Sequence, residues 1–159
     1  METSKRVKHS EIVGSNRVKK MVSRDALLGQ LHKGSLEKLV AFVKGKEYAP
    51  LLKKLIVEGL IKIEESAVEI ICRPEDKAAI SKILPEAVAE FKTAMTAAGH
   101  TVSPKVTISE TPLNSKLYVG GIVLTAAAGK ITLNQTLDER LSQTFNDLMP
   151  SIRFQLFDN

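Results

Sequence analysis

Val18, Met21 and Val22, then Leu28 and Leu31, then Leu36, Leu39, Val40 and Val43 recur at three- and four-residue steps in a segment otherwise coated with Lys, Arg, Ser and Asn. This spacing predicts an amphipathic helix with a narrow apolar stripe. The stripe changes phase near Lys33-Gly34-Ser35, where Ser35 is placed to cap a new helix. The expectation is a long first helix, a break, and a short second helix ending near Lys44-Gly45. A third helix is predicted over Tyr48–Ile61, with Pro50 in its first turn, where no N–H partner is lost. Its broad face of Leu51, Leu52, Leu55, Ile56 and Leu60 demands burial, and Gly59 within that face predicts close packing against another backbone.

Beyond Ile63 the period changes. Val68, Ile70 and Cys72 alternate in Ser66–Arg73, with Ile71 adding apolar character to the other face, which predicts a central strand. Pro74-Glu75-Asp76 opens a helical stretch that Pro85 should divide into Glu75–Leu84 and Pro85–Ala98, closed by Gly99-His100. Thr101–Ser109 reads as a strand whose Pro104 favours a sheet edge. Tyr118–Thr125 and Lys130–Asn134 read as a hairpin, with Gly129 supplying a positive φ in the turn. Thr136-Leu137-Asp138-Glu139 has capping-box spacing before a last helix that runs toward Phe157 with a bend at Pro150. The fold class is therefore α+β: an N-terminal helical lead-in, residues 1–45, followed by a head, residues 46–159, with a four-stranded, mainly antiparallel sheet packed with helices.

Composition narrows the chemistry. The 159 residues are 43% hydrophobic and 26% charged, enough for a core. The most apolar stretch, Leu51–Ile63, is interrupted by Lys53, Lys54, Glu58 and Lys62, so it is no membrane span. The N-terminus has no apolar secretory segment. Cys72 stands alone, which excludes an intrachain disulfide and fits a reducing compartment. The net charge of +5 is uneven, with 14 Lys/Arg against 6 Asp/Glu in residues 1–62. That excess fits a solvated helix face, nucleic acid, an acidic partner protein or an anionic lipid surface.

Catalytic motifs fail one by one. Gly129-Lys130 is followed by Ile131, and Leu124 stands where a phosphate loop needs its first glycine. His9, His32 and His100 are scattered without ligand-spaced partners, so no metal site is expected. Cys72 reads as a small core hydrophobe. The pairs Glu64-Glu65, Glu75-Asp76 and Asp138-Glu139 serve helix ends. No cofactor is expected and no catalytic residue is assigned. Lys5, Arg6, Lys8, Arg17, Lys19, Lys20 and Arg24 form a basic cluster without an aromatic before Phe42, an absence that disfavours single-strand readers. A basic nucleic-acid-binding protein stays as the alternative reading. The candidate partner-binding residues are Val18, Met21, Val22, Leu28 and Leu31 on the first helix, which either meet a second helix or fold back on the head. On the last helix they are Arg140, Arg153, Phe154 and Phe157, as Arg and aromatic residues anchor interfaces.

Several stretches then align with one family: Leu55–Leu60 (LIVEGL), Val68–Asp76 (VEIICRPED), Gly120–Leu124 (GGIVL), Gly129–Ile131 (GKI), Asn134–Leu141 (NQTLDERL), Met149–Arg153 (MPSIR) and Gln155–Phe157 (QLF). In this order, between Ser10 and Phe157, the chain resembles the E subunit of the vacuolar-type (V-type) rotary proton ATPase. The resemblance implies a non-catalytic stator that pairs with the G subunit as two long helices in a peripheral stalk. It implies a head bound to the B subunit of the catalytic hexamer, a lower end near the C, H and a subunits, and a place on the cytoplasmic face of endomembranes, reached only through the complex. It also implies no direct nucleic-acid contact, while an unpaired seam could self-associate in the isolated chain. Family members usually carry a longer N-terminal helix. The 34 residues before Ser35 reach only about 50 Å at 1.5 Å per residue, so the stalk segment is expected to be shortened relative to the family.

Overall fold

The computed structural model describes residues 2–100, 103–115 and 117–157. Its elements in chain order are helices α1 (Glu2–Val43) and α2 (Tyr48–Ile63), strand β1 (Ala67–Cys72), helix α3 (Lys77–Ala97), strands β2 (Lys105–Ile108), β3 (Gly121–Ala126) and β4 (Ile131–Thr136), and helix α4 (Leu137–Phe157). The chain divides into two compact units, Met1–Glu37 and Lys38–Asn159.

The expected break at Ser35 is absent. α1 is one helix of 42 residues, and the Ser35 hydroxyl donates back to the Leu31 carbonyl at 2.9 Å instead of capping a new start. Keeping Gly34 inside a helix costs about 1 kcal/mol, which is less than nucleating a second helix. Pro85 likewise does not divide α3. The proline is exposed, and Ile80, Ala87 and Phe91 bury one face on both sides of it. α4 runs through Pro150 to Phe157 as one helix, as expected.

The second unit is an α+β head. Its sheet has the order β2-β1-β3-β4. β1 pairs antiparallel with β3 (Ile70 opposite Leu124) and β3 antiparallel with β4 (Leu124 opposite Leu133), while β1 pairs parallel with β2 (Val68 opposite Val106). β1 is therefore central and β2 an edge, as the patterns predict; Thr101 and Val102, the start of the expected strand, lie outside the described residues. Val68, Ile70, Cys72, Ile122 and Leu124 form one core cluster with Leu52, Leu55, Ile56 and Leu60 of α2 and Ile80, Ala87 and Phe91 of α3. The opposite face carries Glu69, Thr107 and Thr125 beside the half-buried cross-strand pair Ile71 and Val123.

Gly59 sits where α2 crosses β3. A Cβ there would lie 2.6 Å from Leu124 Cδ1, so the close neighbour is a side chain of the sheet and not a backbone. The β3–β4 turn holds Gly129 at φ +84°, as its position demands, and also Ala127 and Ala128 at φ 50° and 55°. At the start of α4 the Thr136 hydroxyl accepts the Glu139 N–H at 3.4 Å, half of the expected capping box. The other half is supplied differently. Asn134 Oδ1 accepts the Thr136 N–H at 3.0 Å, while the Glu139 carboxylate accepts from Gln143. The next acid, Asp138, accepts the Val119 N–H at 2.8 Å and ties the chain before β3 to the helix start.

Candidate protein-interaction surfaces

Along α1, Val18, Met21 and Val22 are 60%, 69% and 63% exposed, and Val7 and Leu31 are exposed too. At about 100° of turn per residue, Val7, Val18, Met21 and Val22 fall on one arc, and Glu11, Gly14 and Asp25 fall on the same arc. Leu28 departs from the expectation of an exposed seam, for it is buried. Of the stripe candidates Val18, Met21, Val22 and Leu31 are thus exposed, with the first three on the shared arc.

On the head, the sequence candidates separate. Arg153 and Phe154 are exposed on α4, whereas Phe157 is half-buried and engaged within the chain. Arg140 is occupied internally: its guanidinium donates to Gln135 Oε1 at 2.7 Å and to Glu58 Oε2 at 3.0 Å. This fastens α4 to α2 and satisfies the amide oxygen of Gln135, a buried side chain. Lys62, one helical turn beyond Glu58, holds the other carboxylate oxygen at 2.7 Å. The Lys62 hydrogen bond, with the Arg140 charge beside it, keeps Glu58 below the usual carboxylate range.

A second polar group, which pattern reasoning did not single out, lies at the base of α2. The Tyr48 hydroxyl donates to Asp76 Oδ2 at 3.0 Å and accepts the Gly121 N–H at 2.8 Å, and Arg73 Nε–H donates to the same Asp76 oxygen at 2.8 Å. All three side chains are buried. Burial pushes the Tyr48 phenol up to about 12. The group joins the first turn of α2, the β1–α3 turn and the entry to β3. Its members come from positions with no common period, and the only hint in the sequence is a tyrosine at a helix start with acid and arginine beyond the strand. It braces the head.

Cys72 is buried in β1, and burial raises its thiol pKa, which suppresses the nucleophilic thiolate. Among the described residues no group of three His, Cys, Asp or Glu side chains is placed to hold a metal ion, and no helix is long and apolar enough to cross a membrane.

A long helix with a bare apolar arc and a braced α+β head are features that suit a component of a larger protein assembly. The family described as ATP synthase (E/31 kDa) subunit matches residues 1–157. The chain is 30% identical over 169 residues to the V-type proton ATPase E2 subunit of Arabidopsis thaliana, covering 98% of this chain and 70% of that protein. It is 29% identical over 165 residues to the V-type proton ATPase E subunit of Dictyostelium discoideum, covering 99% and 70%. It is also 30% identical over 158 residues to the E subunit of Drosophila melanogaster, covering 99% and 68%. The chain belongs to the V-type ATPase E-subunit family, and so to the non-catalytic, peripheral-stalk components of a proton-transporting ATPase.

Proposed function

We propose that this chain is a stator element in which α1 pairs with a helix of the G subunit while the head anchors on the B subunit of the catalytic hexamer. In this reading the lower end of the stalk meets the C, H and a subunits. The assembly holds the hexamer still against the rotor, so that ATP hydrolysis elsewhere drives proton transport on the cytoplasmic face of endomembranes.

The observation that carries the reading is the exposed Val18–Met21–Val22 arc on a helix of 42 residues, about 63 Å long. A polar helix with so narrow an apolar face gains most of its stability from a second helix. Phe154 and Arg153, exposed on α4, are of the residue types that anchor interfaces. Arg140, held by Glu58 and Gln135, serves the head internally.

Co-expression with the G subunit tests the proposal. A stable 1:1 complex, lost in Val18→Asp/Met21→Asp, is the expected result. Two soluble chains that never associate would overturn it, and micromolar nucleic-acid affinity with a steep salt dependence would favour the alternative instead.

A further inference from the structure

The arc of α1 carries an unusual charge order. Residues 2–37 contain eight Lys/Arg, and none lies on the arc of about 100° that holds Val7, Gly14, Val18, Met21 and Val22. Both acids from the interior of that segment, Glu11 and Asp25, do lie on it. Each is exposed, and among the described residues neither makes a hydrogen bond or ion pair within the chain. They bracket the Val18–Met21–Val22 patch and stand about 21 Å apart along the axis. Lys8 and Arg17 border the arc on its two sides. The helix is thus acidic at two points of its contact line and basic along the margins.

We infer that α1 selects a helix of a different protein, one that carries Lys or Arg at two seam positions about 21 Å apart and acidic residues where it meets Lys8 and Arg17, and that Glu11 and Asp25 set the register of that pairing. The inference rests on the pairing reading above. Charge complementarity decides between occupants. A second copy in parallel register places Glu11 against Glu11 and Asp25 against Asp25. An antiparallel copy centred on Val18 places Glu11 against Asp25 of the other chain. Both put like charges together along the seam, whereas a helix of the opposite order pairs Glu11 and Asp25 on the seam and Lys8 and Arg17 at its margins. A polar residue within an apolar seam lowers affinity for every partner but penalises wrong registers and partners more, which is how a single buried polar position specifies a coiled coil.

The test uses the full chain and the full-length G subunit, with affinity read by isothermal titration calorimetry at low salt and helix content checked by circular dichroism. Glu11→Lys/Asp25→Lys should weaken binding at least tenfold without loss of helix, and Glu11→Gln/Asp25→Asn should weaken it less. If the charge reversal stays within twofold of wild type while Val18→Asp/Met21→Asp abolishes binding, the register role is refuted and the pairing reading stands. If neither pair of substitutions changes binding, the pairing reading falls and takes this inference with it. By sedimentation velocity, Glu11→Leu/Asp25→Leu should turn a monomeric chain into a concentration-dependent dimer. A wild-type dimer that Val18→Asp/Met21→Asp dissolves would overturn the choice of occupant.

Discussion

Tyr48 and Asp76, at opposite ends of the α2–β1 unit, meet through a buried hydrogen bond of 3.0 Å, and the same phenol oxygen accepts the Gly121 N–H. One side chain thereby closes the base of the head. Replacing Tyr48 with Phe leaves the ring in place and strips a partner from both Asp76 and Gly121. A loss of about 1–3 kcal/mol is expected, read as a lower urea midpoint with an unchanged m-value.

The same residue makes the head sensitive to alkali. The folded-state pKa of Tyr48 is raised to about 12 from an ordinary value of 10.0, so the folded chain keeps a proton that the unfolded chain releases. The stability tied to this proton is fully present below pH 10 and is lost as pH rises toward 12. The wild-type urea midpoint should therefore fall more steeply over that range than the Tyr48→Phe midpoint, and parallel curves would refute the assignment.

Arg140 gives a prediction that separates bracing from docking. Arg140→Ala leaves the buried Gln135 amide oxygen without its donor and Glu58 without one of its cations. A thermal unfolding scan should show a loss of about 1–2 kcal/mol in the isolated chain, where an interface residue would show none. Because Glu58 is held below the usual carboxylate range, its contribution is present above that range and fades as pH falls through the lowered value. Glu58→Gln should flatten that acid-side slope.

Gly59 and Gly121 should both resist alanine, for different reasons. At Gly59 the new methyl meets the fully buried Leu124 side chain at 2.6 Å, an overpacking cost of about 1–3 kcal/mol, partly offset by about 1 kcal/mol of helix propensity. At Gly121 φ is +95° and the new atom would lie 2.5 Å from the Gln135 carbonyl oxygen, so backbone must move. Chemical denaturation should rank Gly121→Ala as the more damaging.

The turn between β3 and β4 offers the opposite sign. Ala128 sits at φ 55°, where an L-residue costs about 1–2 kcal/mol, while glycine gives up about 0.5–1 kcal/mol of chain entropy. Ala128→Gly should raise the melting temperature slightly, and a fall would show that the methyl group has a packing role.

Much of the architecture is legible in local order. The alternation of Val68, Ile70 and Cys72 marks a central strand, Gly129 marks the hairpin turn, and the three- and four-residue steps through Val18, Met21 and Val22 mark a helix with one apolar face. Each is decided by which side chains share a face or which residue tolerates a positive φ, and both follow from local order alone. Helix breaks were less legible. Gly34 and Pro85 weaken a helix locally, but the cost of starting a new one, and the burial of Ile80 and Phe91 on either side of the proline, outweigh them.

Hence the sequence by itself determined the element types, the apolar faces, the basic front half and the lone unreactive cysteine of this E-subunit family member. Only the tertiary structure decided that β2 runs parallel beside β1, that Gly59 receives a leucine from the sheet, and that Arg140 is spent on Glu58 and Gln135. Those contacts join residues far apart in the chain, and their partners are chosen by the simultaneous packing of apolar area and the pairing of buried polar atoms, which no local period records.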